Sequence, residues 1–108
     1  MIGIDIVDLS RIDDTNEAFV RRCLTEKERE ELKLRRSPAR RKEYIGGRFA
    51  AKEAIFKACG ARDFLGFSIL NREDGRPYVY DHPELDISIS HDGGYAVAAA
   101  ELRKEDQE

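Results

Sequence analysis

The sequence predicts an α+β fold, with an antiparallel β-sheet packed against three helices. Apolar residues alternate at the two-residue period of strands in Ile2-Gly3-Ile4-Asp5-Ile6-Val7, and again from Leu85 onward. Between these stretches, residues 13–59 carry helix caps and helical spacing. Turn signals at Asp74-Gly75 and Asp92-Gly93-Gly94 then fold successive strands back on one another. An order of strand, helices and antiparallel strands belongs to an α+β domain, not to alternating βα units.

Each element has its own signal. Ile2, Ile4 and Ile6 share one face of the first strand; Gly3, Asp5 and Val7 share the other. Aspartate is a poor strand former, so Asp5 either bonds backbone amides at the strand end or binds a cation. Asp8, three residues later, is a second candidate ligand, and spacing alone does not choose between the two acids. Asp13 or Asp14 caps a short helix that reaches about Arg22. Thr25-Glu26-Lys27-Glu28 has capping-box form and opens a charged helix ending near Arg36. Ser37-Pro38 starts the third and longest helix, Pro38 to Cys59, and Gly60 stops it. Strands follow at Phe64–Asn71, Arg76–Tyr80, Leu85–His91 and Tyr95–Leu102, the last rich in Ala and Val and expected to be well buried. The polar tail from Arg103 is expected to fray. With no linker, low-complexity segment or repeat, residues 1–108 read as one domain.

A chain of 108 residues has a small core, and assembly with further copies would help it bury apolar surface. No apolar run approaches the length of a membrane span, and Met1-Ile2-Gly3-Ile4-Asp5 lacks the basic and apolar regions of a signal peptide. Cys23 and Cys59 have neither disulfide-framework nor metal-ligand spacing, so both are expected as free thiols in a reducing cytoplasm. The net charge of −3 hides an asymmetry: residues 21–57 hold thirteen of the 19 Lys and Arg against six Glu. That segment suits a phosphate or an acidic partner, or is simply a set of solvated helix faces.

The chemistry concentrates in Gly46-Gly47-Arg48-Phe49-Ala50-Ala51-Lys52-Glu53-Ala54-Ile55-Phe56-Lys57-Ala58. Gly46, Phe49, Glu53 and Lys57 form one helical stripe, and Glu53 sits among Arg48, Lys52 and Lys57 in sequence. Glycines inside a helix cost about 1 kcal/mol each relative to Ala, so two together indicate close approach of a neighbour or a ligand. Carboxylates with few other ligand types suggest a hard cation such as Mg²⁺, which keeps water and substrate phosphate in its shell. Lys57 and Arg48 could neutralise phosphate oxygens, and His91 ends a strand where its ring could exchange a proton. Ser90, His91 and Asp92 would make a geometrically poor triad, because adjacent strand residues point to opposite faces. No Walker-type or Gly-x-Gly-x-x-Gly loop is present. Taken alone, the residues describe a small α+β protein compatible with Mg²⁺-dependent phosphate chemistry.

Four motifs appear in order: Gly3-Ile4-Asp5-Ile6-Val7; Gly47-Arg48-Phe49-Ala50-Ala51-Lys52-Glu53-Ala54 with Lys57-Ala58; Gly75-Arg76-Pro77; and Ser88-Ile89-Ser90-His91. Together they closely resemble the short bacterial class of 4′-phosphopantetheinyl transferases, the holo-acyl-carrier-protein synthases, over Ile2 to about Leu102. The resemblance implies transfer of 4′-phosphopantetheine from coenzyme A to a serine of apo acyl carrier protein, with release of adenosine 3′,5′-bisphosphate, in support of fatty acid biosynthesis. It implies Asp5 and Glu53 as Mg²⁺ ligands and Lys57 as a phosphate contact that helps the leaving group. By matching position, Arg40, Arg48, Phe49, Arg76, Pro77, Ser90 and His91 would line the coenzyme A site, with Arg40 at the 3′-phosphate. Arg11, Arg21 and Arg22 would dock the acidic carrier protein. The class also implies a cytoplasmic homotrimer with sites between subunits, and no nucleic-acid or membrane partner.

The chain departs from the class in three places. The docking segment carries Asp13, Asp14 and Glu17; Gly60-Ala61-Arg62-Asp63-Phe64 is short and lacks a glycine-rich form; and Arg76 replaces the more usual Lys. Two rival readings use the same residues. A Mg²⁺-dependent phosphohydrolase would need no protein acceptor, and a nucleic-acid module would use the basic helices, although no reading motif is present.

Overall fold

In the computed structural model, which describes residues 1–103, the chain runs β1 (Ile2–Asp8), a 3-10 turn (Leu9–Arg11), α1 (Glu17–Cys23), α2 (Glu26–Leu32), α3 (Pro38–Cys59), β2 (Ile69–Asn71), β3 (Pro77–Val79), β4 (Leu85–Asp92) and β5 (Tyr95–Leu102). The strands form two antiparallel sheets, β1-β5-β4 and β2-β3. β5 lies central in the larger sheet, with Asp5 opposite Ala98 and Ile89 opposite Ala98 on its other side. α3 packs along the face that carries Gly3, Asp5 and Val7.

Side-chain size decides which face of β1 turns inward. A Cβ on Gly3 would lie 2.0 Å from the carbonyl oxygen of Ala54, so α3 and β1 touch backbone to backbone. Ala96, Ala98 and Ala100 of β5 and Ala50, Ala51, Ala54 and Ala58 of α3 keep the rest of that interface equally thin. Ile2, Ile4 and Ile6 therefore point away from the helix and remain 61%, 59% and 64% exposed. β5, expected to be well buried, is buried on its alanine face only, while Tyr95 and Val97 are exposed on the other. The paired glycines of α3 serve packing: a Cβ on Gly46 would meet Leu9 Cδ2 at 2.3 Å, and one on Gly47 would meet Ile89 Cγ2 at 3.1 Å.

α3 has the expected bounds, with the Ser37 side chain accepting from the Arg40 amide and Gly60 closing the helix at φ 81°. The Thr25–Glu28 capping box also forms. Other ends differ. Asn16 caps α1, because Asp13 is engaged by the amide and hydroxyl of Thr15 and Asp14 by Arg41. α2 ends at Leu32 instead of near Arg36; the Leu34 and Arg35 amides turn back onto Glu31 and Leu32, and Leu34 is exposed. β2 is only three residues long, because Phe64 to Gly66 turn first, with the Gly66 amide bonded to the Asp63 carbonyl. Arg103 still pairs, its amide donating to the Glu84 carbonyl, and residues 104–108 of the expected frayed tail lie outside the described residues.

A polar seam joins α2, α3 and β2. Lys52, which is 2% exposed, donates from Nζ to Glu28 Oε1 at 2.6 Å, the Cys23 carbonyl at 2.6 Å and the Phe64 carbonyl at 2.7 Å. Glu28, fully buried, also accepts from the Thr25 and Ile69 amides. One turn along α2, Glu31 accepts from the Asn71 amide and the Tyr44 hydroxyl. Arg48 donates to the Ile69 carbonyl and Asn71 Oδ1, and its guanidinium stacks 3.9 Å from the Tyr44 ring centroid. Burial pushes the Lys52 pKa down, and Glu28 opposes the shift. Burial likewise raises the Tyr44 phenol well above 10.0, with Arg48 opposing and the bond to Glu31 adding to the rise.

Lys52→Met leaves the Glu28 carboxylate buried without its cation and should cost about 3–5 kcal/mol in urea unfolding. Lys52→Met combined with Glu28→Gln should recover part of that loss. Tyr44 supplies a pH signature. Its folded pKa lies above the unfolded value, so its contribution is complete below about pH 10 and is lost as pH rises further. The stability gap between wild type and Tyr44→Phe, measured by urea unfolding, should shrink by up to about 1.4 kcal/mol per pH unit above that point.

Candidate functional site

Two clefts flank α3. The first, about 360 Å³, is lined by Asp5, Val7, Asp8, Arg11, Phe49 and Glu53 among others. β1 delivers Asp5 and the facing stripe of α3 delivers Glu53 and Phe49, so the strand–helix contact made possible by Gly3 brings the two acids to one opening. Neither carboxylate is bare. Lys57 Nζ lies 3.2 Å from Asp5 Oδ1 and also donates to the Ile4 carbonyl, and Arg62 Nη1 lies 3.5 Å from Glu53 Oε2. Lys57 thus answers Asp5 across the interface, not Glu53 along the helix. Asp8 caps the 3-10 turn, and the hydroxyl and amide of Ser10 on its Oδ1 hold its carboxyl below the usual carboxylate range.

Phe49 stands between Phe19, 6.3 Å away, and Phe64, 5.1 Å away edge-on, which gives this cleft an apolar wall beside its acids. Among the described residues no group of three or more His, Cys, Asp and Glu is placed to hold a metal. Two carboxylates on one cleft still match the donor set of Mg²⁺, which takes one or two protein carboxylates and completes its shell with water and phosphate oxygens.

The second cleft, about 190 Å³, is lined by Arg35, Arg40, Glu43, Tyr44, Arg48, Asn71, Pro77, Ile89 and His91, among others. It gathers Arg40, Arg48, Pro77 and His91 as expected from the sequence, and it shares no residue with the acidic cleft. His91 Nδ1 lies 3.6 Å from Glu43 Oε2. Arg48 is spent largely on the polar seam; burial lowers its pKa, with Tyr44 and the carboxylates Glu31 and Glu28 opposing. Arg76 is exposed, paired with Asp74, and lies with Arg72, Pro77 and Ser88 in a neighbouring cleft. Ser90 is exposed on the outer face of β4, opposite Val97 and turned away from His91.

Arg11 borders the acidic cleft, and Arg21 and Arg22 are exposed in the last turn of α1. The nearby acids are more neutralised than their number suggests, since Asp14 accepts from Arg41 Nε at 3.1 Å. Sequence reasoning did not find Arg35, Glu43, Tyr44 and Asn71 in the second cleft, nor Arg62 on Glu53. Glu43 and Tyr44 stand four residues before Gly47 and Arg48, a spacing that was legible; the positions of Arg62 and Asn71 depend on how the chain returns after Gly60.

A family model described as the 4′-phosphopantetheinyl transferase superfamily matches residues 1–100. The holo-acyl-carrier-protein synthase of Geobacillus sp. (strain WCH70) is 42% identical, with 90% of each chain covered. The crystal structure of a Bacillus anthracis holo-acyl-carrier-protein synthase in complex with CoA (3′,5′-ADP) has a TM-score of 0.82 and 40% identity, covering 92% of this chain and 91% of that one. The Helicobacter pylori holo-acyl-carrier-protein synthase in complex with coenzyme A has a TM-score of 0.77 and 31% identity, covering 94% and 99%. An α+β sheet-and-helix fold, two acids on a common cleft and a match spanning 1–100 agree: this chain belongs to the 4′-phosphopantetheinyl transferase superfamily.

Proposed function

We propose that this enzyme transfers 4′-phosphopantetheine from coenzyme A to a serine of apo acyl carrier protein, as a holo-acyl-carrier-protein synthase. The observation that carries the reading is the convergence of Asp5 and Glu53 on one cleft, with Lys57 beside them. In the reaction the serine hydroxyl oxygen bonds to the phosphorus attached to pantetheine and its proton passes to water, while the diphosphate P–O bond breaks to release adenosine 3′,5′-bisphosphate. Asp5 and Glu53 would hold Mg²⁺, which would supply positive charge to the diphosphate. Lys57, half exposed, is within reach of the same opening and exchanges Asp5 for a phosphate oxygen. Arg40 and His91 take the phosphorylated adenosine end, with Arg48 and Pro77 around it and Arg76 in the neighbouring cleft, and Phe49 shields the reacting end from water.

Acyl carrier protein would approach over Arg11, Arg21 and Arg22, where attraction between opposite charges raises the association rate. The same reading makes this a cytoplasmic enzyme serving fatty acid biosynthesis.

Assembly as a homotrimer, with sites between subunits, is part of the proposal. Two observations support it. The acidic and basic clefts share no lining residue within one chain, so a neighbour can supply one half of a long ligand's site. The outer sheet face carries Ile2, Ile4, Ile6, Tyr95 and Val97 to solvent, an apolar stripe suited to another copy of itself.

Incubation with coenzyme A, Mg²⁺ and apo acyl carrier protein should raise the carrier's mass by one phosphopantetheine group; an unchanged mass with folded enzyme refutes the reading. Glu53→Gln should lower turnover about 100-fold or more while the thermal unfolding temperature stays near that of wild type. Ile4→Lys places a charge on the outer stripe and should convert the trimer to monomer in analytical ultracentrifugation.

A further inference from the structure

We propose that Arg62 is a built-in counter-ion for Glu53, so that the site admits a divalent cation with its diphosphate more readily than the cation alone. The inference rests on the reading of Glu53 as a metal ligand. Its basis is the return of the chain after α3, a stretch to which no role has been given.

That return is pinned at both ends. At Gly60 the backbone turns left-handed, and its amide donates to the Phe56 carbonyl at 2.7 Å. At Phe64 the carbonyl accepts from the buried Lys52, and the ring packs edge-on against Phe49. Arg62, between these anchors, folds back over α3. Its guanidinium lies 4.0 Å from the centroid of the Phe56 ring and reaches Glu53 at 3.5 Å. Glu53 and Phe56 are three residues apart, so ring and carboxylate share a helical stripe and receive one guanidinium together. The pair is asymmetric: the Arg62 side chain is 59% exposed and can leave, whereas that of Glu53 is 18% exposed and fixed in the cleft.

Electrostatics gives the arrangement its consequence. A divalent cation arriving alone must take Glu53 from Arg62 and leave two positive charges close together. A cation arriving with a diphosphate offers the displaced guanidinium a better partner, because its planar fork matches phosphate oxygens. Lys57 stands in the same relation to Asp5. Both acids are therefore neutralised by the chain itself until phosphate comes to relieve the cations.

The test uses the full-length protein and Mn²⁺ as a paramagnetic probe, with free Mn²⁺ followed by electron paramagnetic resonance. Arg62→Gln should bind Mn²⁺ alone about two- to fivefold more tightly than wild type, the range expected for an exposed pair. The gain should shrink at about 1 M salt, where such pairs are screened. With Mn²⁺ present, the same variant should bind coenzyme A about two- to fivefold more weakly, and Arg62→Lys, which keeps the charge, should lie near wild type in both measurements. A purely structural role for Arg62 would not tighten metal binding. Unchanged or weaker Mn²⁺ binding by Arg62→Gln overturns the inference, and wild-type binding of coenzyme A with Mn²⁺ then leaves the functional reading standing. If neither protein binds Mn²⁺, with or without coenzyme A, both fall.

Discussion

The buried pair of Lys52 and Glu28 ties four pieces of chain together at one point. One ammonium collects the carbonyl at the end of α1, a carboxylate from α2 and the carbonyl of Phe64. The same carboxylate spends its remaining capacity on the Ile69 amide, which starts β2, and on its own helix cap. An ion pair removed from water often contributes little net stability compared with a well-packed apolar pair. Its value here is specificity, because an apolar substitute would fill the volume and leave the Ile69 and Thr25 amides and two carbonyls unanswered. All buried side-chain nitrogen and oxygen atoms among the described residues have partners, so the network is complete. Glu28 and Glu31, three apart on α2, serve Ile69 and Asn71, two apart on β2, and this match of helical and strand periods sets the register of the small sheet against the helices.

That constraint reaches the candidate site through α3. Lys52 and Arg48, four residues apart, commit one stripe of the helix to the seam, which turns Glu53, Phe49 and Lys57 toward β1. Gly3 then allows β1 to approach until Asp5 and Lys57 are in contact. The isoleucines are displaced to the opposite face by the same contact. A strand that packs through glycine on one side and displays isoleucine on the other is poorly suited to an isolated monomer, and this links the geometry of the acidic cleft to the apolar outer sheet.

Much of this was legible from local signals. Ser37-Pro38 and Gly60 bracket α3, and the Thr25–Glu28 box opens α2, because caps are decided by a few neighbouring residues. The meeting of Asp5 and Glu53 in one cleft followed from motif resemblance more than from spacing. What was not legible depends on long-range partners. Lys52 and Arg48 look in sequence like companions of Glu53, yet they point to carbonyls and carboxylates contributed by other elements. Alternation in β1 identified two faces without indicating which was inward, since the size of Ala54's neighbourhood, not hydrophobicity, made that choice. Asp13 and Asp14 outrank Asn16 as caps by position, but Thr15 and Arg41 engage them first.

The charge balance of the site also follows from the fold. The basic surplus of residues 21–57 is not a uniform surface. Lys52 and Arg48 are consumed inside, Arg41 answers Asp14, and Lys57 crosses to Asp5, so part of the surplus is spent within the chain, while Arg40 on the rim of the second cleft and Arg21 and Arg22 at the end of α1 stay exposed. The acids of the cleft are balanced at rest by mobile cations, whereas the acids of the seam are balanced by immobile ones. Exposure accounts for the difference: the Lys52 side chain is 1% exposed and that of Lys57 is 50%. A buried pair cannot exchange partners without a large desolvation penalty, while a half-exposed one can do so at the cost of a surface ion pair. Separating the two classes of lysine by one helical turn and a half lets a single helix be rigid on one stripe and responsive on the next.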